Sequence, residues 1–248
     1  MRARTLAWAP WTATASLVAG TILFGPASHS EVSFFDVPFL IISLTFATLG
    51  ALISARRPGN VMGWIFLATG VLGGLQAYFG QYAKVALAPN GPPVPGGALA
   101  AWLAMLAQNS FPISIIFLVL LFPDGRLPSR RWRPLAWAMG LFLALTLVVG
   151  ALVSGPFTEF PSASNPFGME WAQPSEVLLL AGGLGGVLCV VATLLSLVVR
   201  FYVSRGERRL QLTWFTYTTV VGISTPLLLS SPPGSSKFSA SSPGRSAF

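Results

Sequence analysis

The stretch 38–83, PFLIISLTFATLGALISARRPGNVMGWIFLATGVLGGLQAYFGQYA, decides the fold. It holds two uncharged apolar runs, Pro38–Ala55 and Val61–Ala83, joined only by Arg56-Arg57-Pro58-Gly59-Asn60. Proline and glycine stop one helix and release the next. At about 1.5 Å per residue each run is long enough to cross roughly 30 Å of hydrocarbon. An open strand would leave its backbone groups unpaired in lipid, so both runs predict helices. The short joint predicts antiparallel neighbours, with both arginines on one side of a membrane.

Working outward, the same pattern recurs. Further apolar runs cover Leu6–Gly25, Ala98–Phe122, Leu135–Ser154, Val177–Val199 and Leu212–Ser230. The expectation is an all-α, polytopic integral membrane helix bundle of about seven transmembrane helices, with six or eight as alternatives. The alternating segments of a membrane barrel are absent. The first run follows Arg2 and Arg4 and precedes Pro26-Ala27-Ser28, as a signal peptide would. It spans about twenty residues, whereas a secretory apolar region is about 7–15, so a retained first helix is the favoured reading. Residues 1–230 then form the membrane domain, and 231–248 a tail of serine, proline and glycine. Such a tail cannot bury enough apolar area to fold.

Composition agrees. The 248 residues are 53% hydrophobic and only 9% charged, against roughly a quarter charged in soluble domains. The net charge of +8 does not point to nucleic acid, because the basic residues are dispersed among separate loops. It suits the anionic lipid of a cytoplasmic leaflet, where each basic residue contributes about 1 kcal/mol.

The distribution of charge fixes the expected orientation. With the N-terminus inside, twelve of the fifteen basic residues fall on the cytoplasmic side: Arg2, Arg4, Arg56, Arg57, Arg126, Arg130, Arg131, Arg133, Arg200, Arg205, Arg208 and Arg209. Lys84, Lys237 and Arg245 fall outside. The inverse threading would reverse that bias, so a cytoplasmic N-terminus in a plasma membrane is expected. Trp64, Trp102, Trp132, Trp171 and Trp214 lie near the ends of runs, where amphipathic rings prefer the headgroup level.

Catalytic chemistry is sparse. Ionisable groups inside a bundle usually mark pumps and relays, and the middle of every run lacks them. His29 is the lone histidine and lies in a loop; Cys189 is the lone cysteine and reads as a small core residue. No catalytic, cofactor or metal site is expected. The interior polar residues are Gln76 and Gln81 in the third run and Gln108, Asn109 and Ser110 in the fourth, just before Pro112. Interhelical hydrogen bonding is the favoured role, worth about 0.6–2 kcal/mol each; lining a ligand cavity is the alternative. Pro112 is expected to kink its helix. The spacings Gly70/Gly74 and Gly182/Gly186 predict close helix packing and, more weakly, dimerisation.

Three loop segments carry a resemblance. They are Arg56-Arg57-Pro58-Gly59-Asn60-Val61-Met62-Gly63-Trp64-Ile65, the stretch Leu121-Phe122-Pro123-Asp124-Gly125-Arg126-Leu127-Pro128-Ser129-Arg130-Arg131-Trp132-Arg133-Pro134, and Gly206-Glu207-Arg208-Arg209-Leu210-Gln211-Leu212-Thr213-Trp214, with Asn165-Pro166-Phe167-Gly168 between the last two. Together, over about residues 38–222, the chain resembles the multi-pass N-terminal region of bacterial sensor histidine kinases. The resemblance implies a membrane input module followed by a cytoplasmic kinase region. That region has no counterpart in this sequence, and seven spans from an inner N-terminus would end outside, so a truncated or frame-shifted product is the expectation.

The expected function is therefore a non-catalytic sensory or signalling module, with a small permease or transport-complex subunit as the alternative. Expected partners are the bilayer, its anionic lipids included, and either a second copy or a cytoplasmic signalling protein. The basic loop residues Arg56, Arg57, Arg126, Arg130, Arg131, Arg133, Arg205, Arg208 and Arg209 are the candidates for cytoplasmic contact.

Overall fold

A computed structural model describes residues 2–27, 36–88, 94–122, 125–127, 129–173 and 175–203. Six helices follow one another: α1 (Arg2–Ala27), α2 (Asp36–Arg56), α3 (Val61–Ala86), α4 (Gly97–Leu121), α5 (Arg133–Leu152) and α6 (Glu176–Val203). Single 3-10 turns lie at Arg130–Trp132 and Glu170–Ala172. Among the described residues there is no strand, only isolated bridges pairing Val153 with Met169 and Pro156 with Ser164. Six of the seven apolar runs thus fall on helices. Five helices, α2 to α6, are long and apolar enough to cross a membrane. α1 is as long and carries no charge after Arg4. The seventh run, Arg205, Arg208, Arg209, His29 and the tail lie outside the described residues. The chain divides into two units, Met1–Arg200 and Phe201–Phe248. Of the second, only the end of α6 is described.

α3 is the hub and packs against α1, α2 and α4. The physical reason is missing side chains. A Cβ on Gly70 would lie 2.6 Å from the Ala47 backbone nitrogen and 2.8 Å from the Ser43 carbonyl oxygen, so only glycine lets α2 and α3 approach this closely. Gly74 turns to α1, with Leu17 at 3.4 Å and Thr14 at 3.5 Å. The Gly70/Gly74 spacing therefore serves two neighbours within one chain. In lipid, where no hydrophobic force draws helices together, such backbone contact supplies the attraction. Most hydroxyls in the seam are paired; among the described residues the buried Ser54 hydroxyl beside Gly63 has no partner. Thr14, Ser43 and Thr69 are fully buried, and each donates to a carbonyl four residues back, Pro10, Phe39 and Ile65.

α5 and α6 are attached differently. Met139 and Leu143 of α5 and Cys189 of α6 form a small buried cluster against Ile113, Ile116 and Phe117 of α4. Cys189 packs there as a hydrophobe, as its apolar surroundings in the sequence predicted. The Phe142 ring lies against Gly185, while Gly182, Gly183 and Gly186 meet nothing within 4 Å. In the most apolar stretches, 44% of α3 is buried, against 11% of α5 and 22% of α6. α4 runs through Pro112 without ending.

Candidate functional site

The two ends of the bundle differ in chemistry. At one end the α2–α3 turn is built almost wholly by backbone demands. Asn60 caps α3, its side-chain oxygen accepting from the Met62 N–H at 3.0 Å. The Trp64 indole N–H donates back to the Pro58 carbonyl at 3.0 Å. The backbone N–H of Asn60 closes onto the Arg57 carbonyl at 2.9 Å. The proline, asparagine and tryptophan of this motif are thus fixed by the turn itself, and Arg56 and Arg57 project exposed from it. The α4–α5 loop meets this turn. Gly125 adopts a φ of 70° and donates to the Leu121 carbonyl, and a Cβ there would sit 3.2 Å from the Asn60 side-chain oxygen. Arg126, Arg130, Arg131 and Arg133 are exposed, and Pro134 occupies the first turn of α5, where its missing N–H costs nothing.

At the other end lies a cavity of about 570 Å³. Gln76, Gln81 and Lys84 line it from α3, Gln108 and Ala104 from α4, Thr21 from α1, Phe39 from α2, and Glu159 from the α5–α6 loop. Gln108 stands near the midpoint of α4, about 16 Å along the helix from Gly97. Its amide donates to a Glu159 carboxylate oxygen at 3.1 Å. The loop therefore reaches along α4 as far as the exposed Gln108 side chain. Asn109 is exposed and lines an adjoining cavity of about 300 Å³ with Gln108, Glu159, Phe157 and Phe160.

Residues 153–173 hold that position through their own bonds. The Asn165 amide donates to the carbonyls of Ala151 at 2.9 Å and Val153 at 2.8 Å, and its oxygen accepts from the Phe167 N–H at 3.0 Å. The Trp102 indole of α4 donates to the same Ala151 carbonyl at 2.9 Å. Phe157, Phe160 and Ala163 are buried against Ala83, Ala100 and Ala101. Small residues on α3 and α4 make the recess that the two rings fill. The Asn165-Pro166-Phe167-Gly168 motif is thus a turn that closes the end of α5, and the loop it belongs to sets the exposed Glu159 beside Gln108.

The four amides named from the sequence consequently do not act alike. Gln76, Gln81 and Gln108 share one cavity, and Asn109 faces its neighbour. The Gln108 bond runs to a loop carboxylate, where the sequence favoured a helix–helix bond. Helix-to-helix polar bonding is instead supplied by Thr69, whose hydroxyl lies 3.0 Å from that of Ser114, and by the Trp11 indole, which donates to the Thr48 hydroxyl at 2.9 Å. Sequence reasoning missed Glu159 and Lys84. Each looked like an ordinary loop or end-of-helix charge, and only the course of 153–173 along α4 brings Glu159 to mid-helix.

The cavity offers amide donors and acceptors, an ammonium, a carboxylate and an aromatic ring. Among the described residues no three His, Cys, Asp or Glu side chains group as metal ligands. No family model matches this chain, and neither a curated protein nor a solved structure does.

Proposed function

We propose that this chain is a non-catalytic sensory module of the cell membrane. In this reading the N-terminus and the arginine loops face the cytoplasm, and the polar cavity opens to the outside. The observation that carries it is the Gln108–Glu159 bond in the cavity lining. A solute that competes for either group loosens the loop 153–173 from α4, and differential binding to two packings is what shifts a conformational equilibrium. The charge bias of the loops and the resemblance to sensor-kinase input regions support the same reading. The cavity chemistry favours a small zwitterion: Lys84 for its carboxylate, Glu159 for its ammonium, Phe39 for its apolar part.

Orientation is checked by reporter fusions, which should read cytoplasmic after Ala55 and external near Ser162; the reverse pattern overturns the topology. Ligand binding is checked by thermal shift of the full chain in detergent against free amino acids and betaine. At least one should raise the melting temperature, and Glu159→Ala should abolish the rise. A panel without effect removes the sensory reading. The alternative, a small permease, draws on Pro112, whose ring frees the Gln108 backbone carbonyl beside the cavity. Uptake of the stabilising compound into vesicles containing the chain would promote that alternative.

A further inference from the structure

At the arginine-rich end, a groove of about 550 Å³ runs between α4 and α5. Phe117, Leu120 and Leu121 form its α4 wall, Trp137 and Gly140 its α5 wall, and Leu127 of the connecting loop closes it. Arg133 is the single charged residue in the lining. It lies one helical turn before Trp137, which is 80% exposed. We propose that this groove binds one anionic phospholipid, its acyl chain along the α4–α5 cleft and its phosphate at Arg133.

Three features set this apart from an apolar surface that any lipid would coat. The groove is concave, and its volume falls within the roughly 300–1,000 Å³ typical of ligand sites. Its charge sits only at the mouth: Arg130, Arg131 and Arg133 are exposed, and the sequence of their loop carries a single acidic residue, Asp124. Arg56 and Arg57, on the α2–α3 turn that the Gly125 loop meets, add positive charge to the same end of the bundle without lining the groove. Basic pockets between spanning helices are where anionic headgroups bind. Trp137 then stands where an indole prefers to be, between headgroup and tail. This inference does not depend on the sensory reading.

Native mass spectrometry of the full chain, released from detergent with equimolar phosphatidylglycerol and phosphatidylcholine, provides the test. One retained phosphatidylglycerol is expected in clear excess over phosphatidylcholine. Arg133→Gln should cut its affinity about fivefold, the equivalent of one near-surface charge. Arg56→Gln, away from the groove, should cut it less. Gly140→Leu should block the groove, because a Cβ there meets only Phe117 at 3.5 Å and a longer side chain enters the open space. Should Gly140→Leu fail to fold, Arg133→Gln still decides, since it changes an exposed group. Equal retention of both lipids, or undiminished phosphatidylglycerol binding in Arg133→Gln, overturns the proposal. A dimer that retains neither lipid also overturns it and assigns the groove to a second copy.

Discussion

The α2–α3 seam and the α6 surface use the same residue for opposite ends. In the seam, Gly50, Gly63 and Gly70 stand where any side chain would collide with the backbone or side chains of the facing helix. On α6, Gly182, Gly183 and Gly186 face open space, and only Gly185 is occupied, by the Phe142 ring. Both patterns read as small-residue spacing. The difference teaches that such spacing licenses close approach without specifying it; what decides is whether a second helix presents small residues in register. Ala47 and Ser43 do so for Gly70. The Leu179, Leu180, Leu184 and Leu188 side chains around the α6 glycines remain exposed instead.

The sharpest way to break this comparison is to place leucine in each region. Gly70→Leu should destabilise the chain by about 3 kcal/mol, at the upper end of overpacking costs, because backbone atoms of α2 cannot move aside. Denaturant titration in mixed micelles measures it. A loss no larger than that of Gly182→Leu would mean the seam is not what holds α2 to α3.

The two asparagine turns extend the contrast on a smaller scale. Asn60 and Asn165 both accept from the backbone N–H two residues on, but Asn165 also donates twice to the end of α5. Asn165→Ala should therefore cost about 2 kcal/mol, and Asn60→Ala about 1 kcal/mol, the usual value of a lost N-cap. The same titration ranks them, and equal losses would deny Asn165 its role at the α5 terminus. Gly182→Ala completes the series with the opposite sign: it should stabilise by up to about 1 kcal/mol through helix propensity alone.

Much of the fold was legible because lipid leaves the chain few choices. A run of twenty uncharged apolar residues must satisfy its own backbone, so α2 to α6 could be drawn from the sequence within a few residues. Pro58, Gly59 and Asn60 announced the turn before α3, and Pro134 the start of α5. The site was less legible. Gln76, Gln81, Gln108 and Asn109 stood out as polar residues in apolar runs, yet their partners did not. A carboxylate in a loop carries no signature of how far along a helix that loop reaches. The burial of Phe157 and Phe160 against Ala83, Ala100 and Ala101, all more than fifty residues earlier, is a long-range packing event that no local pattern encodes.

The sequence by itself determined which segments are helices, where they stop and which loops hold the arginines. These follow from local physics: backbone bonding in an apolar medium, proline and glycine at turns, and the cost of charge in hydrocarbon. Only the tertiary structure decided which glycines touch a neighbour, that Glu159 meets Gln108 at mid-helix, and that Arg133 caps an apolar groove. Each of those depends on the rotation of one helix against another, and that rotation is fixed by side-chain complementarity between segments far apart in the chain.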